Sequence, residues 1–562
     1  MISDKKHIRQ LAAIFHARGI EDIVISPGSR NGPLIHTFVN SGKFCCRSII
    51  DERSAGYFAL GLAQARQKPV ALVSTSGTAA LNLAPAMAEA FYLHISLIAL
   101  TADRPGYWVD QGENQTIRQN RVFSNFCKKE VTLPLEESEK ELWHAGRLIN
   151  EALGIAMDKV PGPVHINIPL EEPLHELQEV ELPEVKIIRL TETKRVMPES
   201  ETGKLLEIFN QSERVLILAG QNRPDFQLER VLRLFAEKTG AVVLHEHLAN
   251  LNDSLFCSNV DALIASINDK IKNDFQPDLV ISFGGAFVSG KLRQFLRNNP
   301  PANHWHLNLS NHHQDTYQSL TRVIDMEPAR FFEQILQIVL PKKRFFHKLW
   351  KEREHQINRL RDEFISQTDF CDLSVFQHII KNIPEKSVLH LGNSSPVRYA
   401  LICDSAKEVE YFANRGVSGI DGSLSTAVGF ASNSKKLNTI ILGDLSFFYD
   451  SNALWNNYAG SNLRIIVVHN GGGNIFSLLK GPARSPAFNQ FFFTENKISA
   501  KGIAGTFGID YLKAENEEEL ENALQNFYAP NTQKALLLEI FTDAEINSET
   551  YRKLFAKIES SD

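Results

Sequence analysis

Cysteine is scarce in this chain: the six present, Cys45, Cys46, Cys127, Cys257, Cys371 and Cys403, form no C-x-x-C pair. That scatter excludes a disulfide framework and a cysteine zinc site, and it fits reduced thiols in a cytoplasmic protein. Positive charge is not in excess either. A net charge of -6 argues against a nucleic-acid or anionic-membrane surface and leaves small molecules as the expected partners. Residues 69–88 carry no charge, yet Ser74, Thr75, Ser76, Gly77, Thr78 and Asn82 sit in their middle, which suits a buried strand, a turn and a helix rather than a membrane insertion. The opening segment MISDKKHIRQLAAIFHARG lacks the apolar core and small-residue cleavage site of an export signal, so no export is expected. Neither G-x-x-x-x-G-K-[ST] nor a G-x-G-x-x-G after a strand occurs, so ATP- and NAD-type phosphate loops have no support. Solenoid repeats and low-complexity tracts are also missing.

What is present is alternation. Short β-branched runs alternate with longer amphipathic ones, the pattern of parallel sheets covered by helices. A length of 562 residues exceeds the roughly 100 to 200 of one domain, and three blocks are expected. The first carries strands near 22–26, 70–74 and 96–101 and ends in an acidic, proline-punctuated linker, LEEPLHELQEVELPEVK. The second carries strands at 214–219, 241–245, 278–283 and 306–309. A charged segment, 342–361, leads into the third, with strands at 387–391, 439–442, 465–469 and 535–541. The expected architecture is α/β, with three doubly wound parallel-sheet domains at 1–182, 183–341 and 342–562.

In the third block Thr439-Ile-Ile-Leu-Gly-Asp444 precedes a helical segment and then Arg464-Ile-Ile-Val-Val-His-Asn470-Gly-Gly-Gly473. Asp444 and Asn470 thus close successive strands of one βαβ unit. Ligands of parallel sheets lie at the carboxyl ends of strands, so both side chains are expected to face one crevice. A carboxylate, an amide and a backbone carbonyl near Gly472 suit a hard divalent ion, Mg²⁺ or Mn²⁺, which also takes phosphate oxygens. Either dipeptide alone is an ordinary turn. The pair, on adjacent strand ends, favours a metal-diphosphate site.

This Gly-Asp…Asn arrangement resembles the cofactor motif of thiamine-diphosphate enzymes, although Leu445 stands where most of them have glycine. The run Gly443-Asp-Leu-Ser-Phe-Phe-Tyr-Asp-Ser-Asn-Ala-Leu454 is similar to the family that makes 2-succinyl-5-enolpyruvyl-6-hydroxy-3-cyclohexene-1-carboxylate in menaquinone synthesis. Matching loops span nearly the whole chain: Ser26-Pro-Gly-Ser-Arg-Asn-Gly-Pro33, Asp51-Glu-Arg-Ser54, Thr75-Ser-Gly-Thr78, Thr101-Ala-Asp-Arg-Pro105, Asn114-Gln115, Asn414-Arg-Gly416 and Ser418-Gly-Ile-Asp-Gly422. The resemblance implies pyrimidine-binding, central and diphosphate-binding domains in that order. It also implies decarboxylation of 2-oxoglutarate on thiamine diphosphate, with 1,4-addition of the resulting four-carbon unit to isochorismate.

The same resemblance assigns residues. Glu52, which otherwise reads as an acidic residue complementing a helix dipole, becomes the carboxylate that exchanges a proton with N1′ of the cofactor's aminopyrimidine. Thr78, Ser394, Ile420, Gly443, Asp444, Leu445, Asn470, Gly472, Asn474 and Ile475 become cofactor contacts. Of these, Asp444, Asn470 and Gly472 hold the metal, and Ile420 keeps the cofactor bent. Ser29, Arg30, Arg104, Gln115, Ser394, Arg398, Arg415 and Phe476 become substrate contacts, with arginine expected because its planar fork pairs bidentately with carboxylates. The family's adjacent Lys-Arg pair in the central domain is met here by Lys291-Leu-Arg293, which implies that Lys291 keeps one substrate contact and leaves open whether Arg293 restores the other. The family joins the first domain of one subunit to the third of another, which makes a homodimer the minimum unit and a homotetramer the alternative. Two rivals stand beside this reading: another thiamine-diphosphate decarboxylase or synthase, and a non-catalytic cofactor-binding relative. His245-Glu-His247, His304-Trp-His306 and His312-His313 are expected to be structural, because no third metal ligand accompanies them.

Overall fold

The computed structural model describes residues 1–561 except 192, 311, 343, 407, 480 and 531. Three parallel sheets carry the chain. The first orders its strands Cys45–Ser48, Asp22–Ile25, Val70–Ser74, Leu97–Asp103, Val164–Pro169 and Lys129–Thr132. The third repeats that order with Glu410–Phe412, Val388–Leu391, Asn438–Gly443, Leu463–His469, Leu536–Phe541 and Asp510–Ala514. Between them in sequence lies a five-stranded sheet ordered Val242–His245, Val215–Ala219, Leu279–Phe283, Asn303–Leu307 and Arg322–Ile324. Helices cover both faces, so the central strands are apolar runs buried on both sides. Among the described residues no helix is long and apolar enough to cross a membrane.

Four local expectations need correcting. The strand expected at 306–309 is Asn303–Leu307. It starts earlier because His304 and His306 are buried polar residues that both meet Ser282 Oγ, at 2.8 and 2.9 Å. The two imidazoles of His245-Glu-His247 do not share one strand face, since the strand stops at His245 and His247 opens the 3₁₀ turn His247–Ala249. The charged segment after residue 341 is not a plain connector: most of it is the helix Phe345–Ile365, whose Trp350 packs in the central core and whose Ile357 and Ile365 pack in the third. The acidic linker is partly tied down. Its Leu177–Gln178 pairs antiparallel with Ile2–Ser3, and Leu182, Val185 and Ile187 pack against the first core.

First and third sheets share one hydrophobic core, which includes Phe58, Leu62, Leu72, Leu424, Val428 and Ile465. Helix Glu52–Arg66 and helix Ser423–Ala431 meet there, backbone against backbone. A Cβ on Gly61 would lie 1.9 Å from Thr426 O, and one on Gly429 would lie 2.0 Å from Phe58 O. Only glycine allows that approach.

Candidate active site

Strands Asn438–Gly443 and Leu463–His469 are neighbours in register, with Gly443 opposite Val468. Asp444 and Asn470 therefore leave the sheet side by side. Asp444 opens the short helix Asp444–Tyr449, and its buried carboxylate accepts from Asn496 Nδ2 at 3.0 Å, with His469 Nε2 at 3.8 Å. Burial raises its pKa above the usual carboxylate range. Asn470 donates Nδ2 to Asp372 Oδ2 at 3.0 Å, while its Oδ1 is buried and has no donor among the described residues. Gly472 adopts φ +150°, and a Cβ there would lie 2.5 Å from Phe493 O. An unmatched amide oxygen, a carboxylate and a glycine cradle fit a hard cation that bridges to phosphate.

The rest of the diphosphate side is braced from outside. Asn474 accepts from Ser548 Oγ at 3.0 Å and begins the 3₁₀ turn Asn474–Leu478, which contains Ile475 and Phe476. The Phe476 ring lies 5.7 Å from that of Phe492. Ile420 O accepts from Ser446 Oγ at 3.0 Å, linking the Ile420 loop to the helix that carries Asp444 and Leu445.

At the carboxyl edge of the first sheet, Gly77 N donates to the buried Gln119 Oε1 at 2.8 Å, which fixes the turn before Thr78. A Cβ on Gly77 would lie 3.3 Å from the backbone of Gln115, so these two loops are in contact. Ser29 Oγ lies 3.3 Å from His175 Nε2. Arg30 is buried and donates to Leu170 O and Glu172 Oε1; burial, then the nearby Arg104, lowers its pKa. Arg104 donates Nε to Asn114 O and pairs with Glu113 at 3.2 Å. Glu52 is half-buried at the start of its helix, just after the N-cap Asp51, and accepts from Asn82 Nδ2 at 3.3 Å.

On the third sheet Arg398 lies in helix Ser395–Ala400, after strand Val388–Leu391, and donates to Ser394 O at 2.6 Å. Ser394 has a positive φ of 73°. Arg415 follows strand Glu410–Phe412 and donates Nη1 to Asn393 Oδ1 at 2.8 Å, while its Nε has no partner among the described residues. Burial, then Arg398 and more weakly Arg293, lowers the pKa of Arg415. Arg293 is thus brought towards this cluster. Lys291 pairs with Glu559 Oε1 at 2.9 Å and lies over the Phe555 ring.

Four adjacent strands of one sheet therefore end, in spatial order, at Arg415, at Ser394 with Arg398, at Asp444 and at Asn470. Known proteins resemble this chain along nearly its whole length. Family models described as "Thiamine pyrophosphate enzyme, N-terminal TPP binding domain" and "Middle domain of thiamine pyrophosphate" match residues 6–122 and 187–391. The chain is 40% identical to the 2-succinyl-5-enolpyruvyl-6-hydroxy-3-cyclohexene-1-carboxylate synthase of Phocaeicola vulgatus, covering 99% of both proteins. The chain belongs to this synthase family. The Flavobacterium johnsoniae synthase is 40% identical over 98% of both chains, and that of Porphyromonas gingivalis is 37% identical over 99% of this chain and 98% of its own. Membership makes the protein a thiamine-diphosphate enzyme.

Several supporting side chains escaped the sequence reading. Asp372, Asn496 and Gln119 hold Asn470, Asp444 and the Gly77 turn respectively. Glu89, buried in the first unit, accepts from Gly416 N and Val417 N, both at 2.7 Å, and so pins the loop of Arg415. Glu246, from the central unit, accepts from Val288 N and Ser289 N at 2.7 and 2.8 Å, and burial pushes its pKa up to about 7. No spacing rule marks any of these positions.

Proposed function

We infer that this chain is a 2-succinyl-5-enolpyruvyl-6-hydroxy-3-cyclohexene-1-carboxylate synthase, which decarboxylates 2-oxoglutarate and adds the remaining four-carbon unit 1,4 to isochorismate in menaquinone synthesis. The observation that carries the reading is the row of strand ends: two guanidiniums and two oxygen ligands aligned along one sheet edge. Thiamine diphosphate, when bound, supplies the nucleophilic carbon and the electron sink that a 2-oxo acid needs to lose carbon dioxide. The protein's part is to bind and orient. Asp444, Asn470 and the Gly472 carbonyl hold Mg²⁺ or Mn²⁺, with Gly443, Leu445, Asn474 and Ile475 against the diphosphate. Ile420, Ser394 and Thr78 support the rings, and Glu52 exchanges the proton at N1′. Arg398, Arg415, Lys291, Arg293 and Phe476 face one substrate, while Ser29, Arg30, Arg104 and Gln115 receive mainly isochorismate. Two dicarboxylates fixed by bidentate cations in a water-poor pocket gain most of their reactivity from orientation.

The proposed units are 1–182, 183–341 and 342–562. They act in the cytoplasm as a homodimer at least, with a homotetramer as the larger alternative. Product formation from 2-oxoglutarate and isochorismate tests the reading, and turnover of pyruvate alone in its place would refute it. Glu52→Gln separates binding from proton exchange: calorimetry should show the cofactor bound, while hydrogen-deuterium exchange at its thiazolium C2 slows.

A further inference from the structure

The metal reading of the third sheet leaves one question that the chain itself answers. An asparagine side chain has a donor end and an acceptor end of nearly the same shape, so a metal ligand of this type works only if something chooses between them. At Asn470 the chooser is in contact. Asp372, the first residue of helix Asp372–Asn382, is 1% exposed and places Oδ2 3.0 Å from Asn470 Nδ2. Both oxygens of Asp372 accept, Oδ1 from Thr542 and Oδ2 from Asn470, so the NH₂ end of Asn470 faces Asp372 and Asn470 Oδ1 faces the opposite way. That is the oxygen that lies buried without a donor.

The carboxylate cannot swing away. Its other oxygen accepts from Thr542 Oγ1 at 2.6 Å, and its own N–H donates to Asn547 Oδ1 at 2.7 Å. Asn547 Nδ2 in turn donates to Thr542 Oγ1 at 3.0 Å, and Thr542 N donates to His469 O at 3.1 Å. The neighbouring residue of the same C-terminal helix, Ser548, fixes Asn474. A closed ring of hydrogen bonds thus runs from Asn470 through Asp372 and Thr542 back to the residue before Asn470.

We propose that Asp372 is a positioning residue for the divalent cation: it sets the Asn470 amide so that Oδ1 faces the metal. This rests on the metal-diphosphate reading above. Removing a residue that orients a metal ligand costs about 10- to 100-fold in affinity. The test is Mn²⁺ binding, followed by electron paramagnetic resonance at saturating thiamine diphosphate on the full chain, with circular dichroism and Tm recorded alongside. Wild type should bind and Asp444→Ala should not; if wild type fails to bind, the metal reading itself falls. Asp372→Ala and Asp372→Ser, whose side chains cannot reach Asn470, should raise Kd at least tenfold. Asp372→Asn should stay within about threefold of wild type, because its carbonyl can still accept from Asn470 while its NH₂ turns to Thr542 Oγ1. Wild-type affinity in a folded Ala or Ser variant overturns the proposal, as does a loss in Asp372→Asn equal to that in Asp372→Ala. Should neither truncation fold, the exchanged pair Asp372→Asn with Asn470→Asp decides. Either end of a carboxylate at 470 is an acceptor, so binding there should approach wild type, and its absence overturns the proposal.

Discussion

On the first-sheet side Arg30 and Arg104 already meet carboxylates, Glu172 at 3.3 Å and Glu113 at 3.2 Å, whereas on the third-sheet side Arg398 and Arg415 donate to a neutral carbonyl and a neutral amide. Glu172 is exposed and Glu113 half-exposed. They act as stand-ins that an incoming carboxylate can replace, at the cost of a surface ion pair. The third-sheet pair makes no ion pair with a carboxylate among the described residues, although Glu246 and Glu89 act on Arg415 from further off, and Arg415 Nε is left without an acceptor. Under the proposed function, one side exchanges anions, and the other is built for an anion and braced by Asn393, Glu89 and the strand ends.

The contrast can be broken most directly at Arg415. Arg415→Ala should strand a substrate carboxylate in a desolvated position, at on the order of 2 to 5 kcal/mol, which is at least about thirtyfold in kcat/KM. Arg104→Ala should cost less, more than roughly tenfold and only in the second half-reaction, because Glu113 already neutralises part of the Arg104 charge in the wild type. Carbon dioxide release from 2-oxoglutarate with an artificial electron acceptor should survive in that variant, and equal loss of both activities would merge the two sites. Glu113→Gln sharpens the comparison from the other side. An exposed pair is worth about 0.2 to 1 kcal/mol, so freeing Arg104 should lower KM for isochorismate by no more than about fivefold and strengthen its salt dependence.

The smallest effect concerns pH. Glu246 is raised by burial to about 7 in the folded chain, against an ordinary 4.5. A raised carboxyl contributes stability below its unfolded pKa and loses it as pH rises through the folded one. The Tm difference between wild type and Glu246→Gln should therefore shift against the wild type between pH 5 and 7, as the stability tied to the protonated Glu246 is lost.

Legibility in the sequence followed physical range. Residues at strand ends were readable because parallel sheets put ligands there, and Asp444, Asn470, Arg398 and Arg415 all obey that rule. Lys291 and Arg293 show where the reading stopped. They lie two apart in helix Gly290–Asn298 and so leave it on different faces: Arg293 acts electrostatically on Arg415, and Lys291 pairs with Glu559. Asp372 was hidden for another reason: an aspartate at a helix start already has an ordinary role with the helix dipole, and its partner Asn470 is 98 residues away.

The backbone contact of Gly61 with Thr426 bears on synthesis as well as on the folded state. The apolar face of helix Glu52–Arg66 leaves the ribosome long before the helix that covers it, Ser423–Ala431. At 5 to 20 residues per second the gap is roughly 20 to 70 s, during which a nascent first unit exposes half of a core it cannot close. Chaperone demand in the cell should therefore track the speed of translation between those two helices.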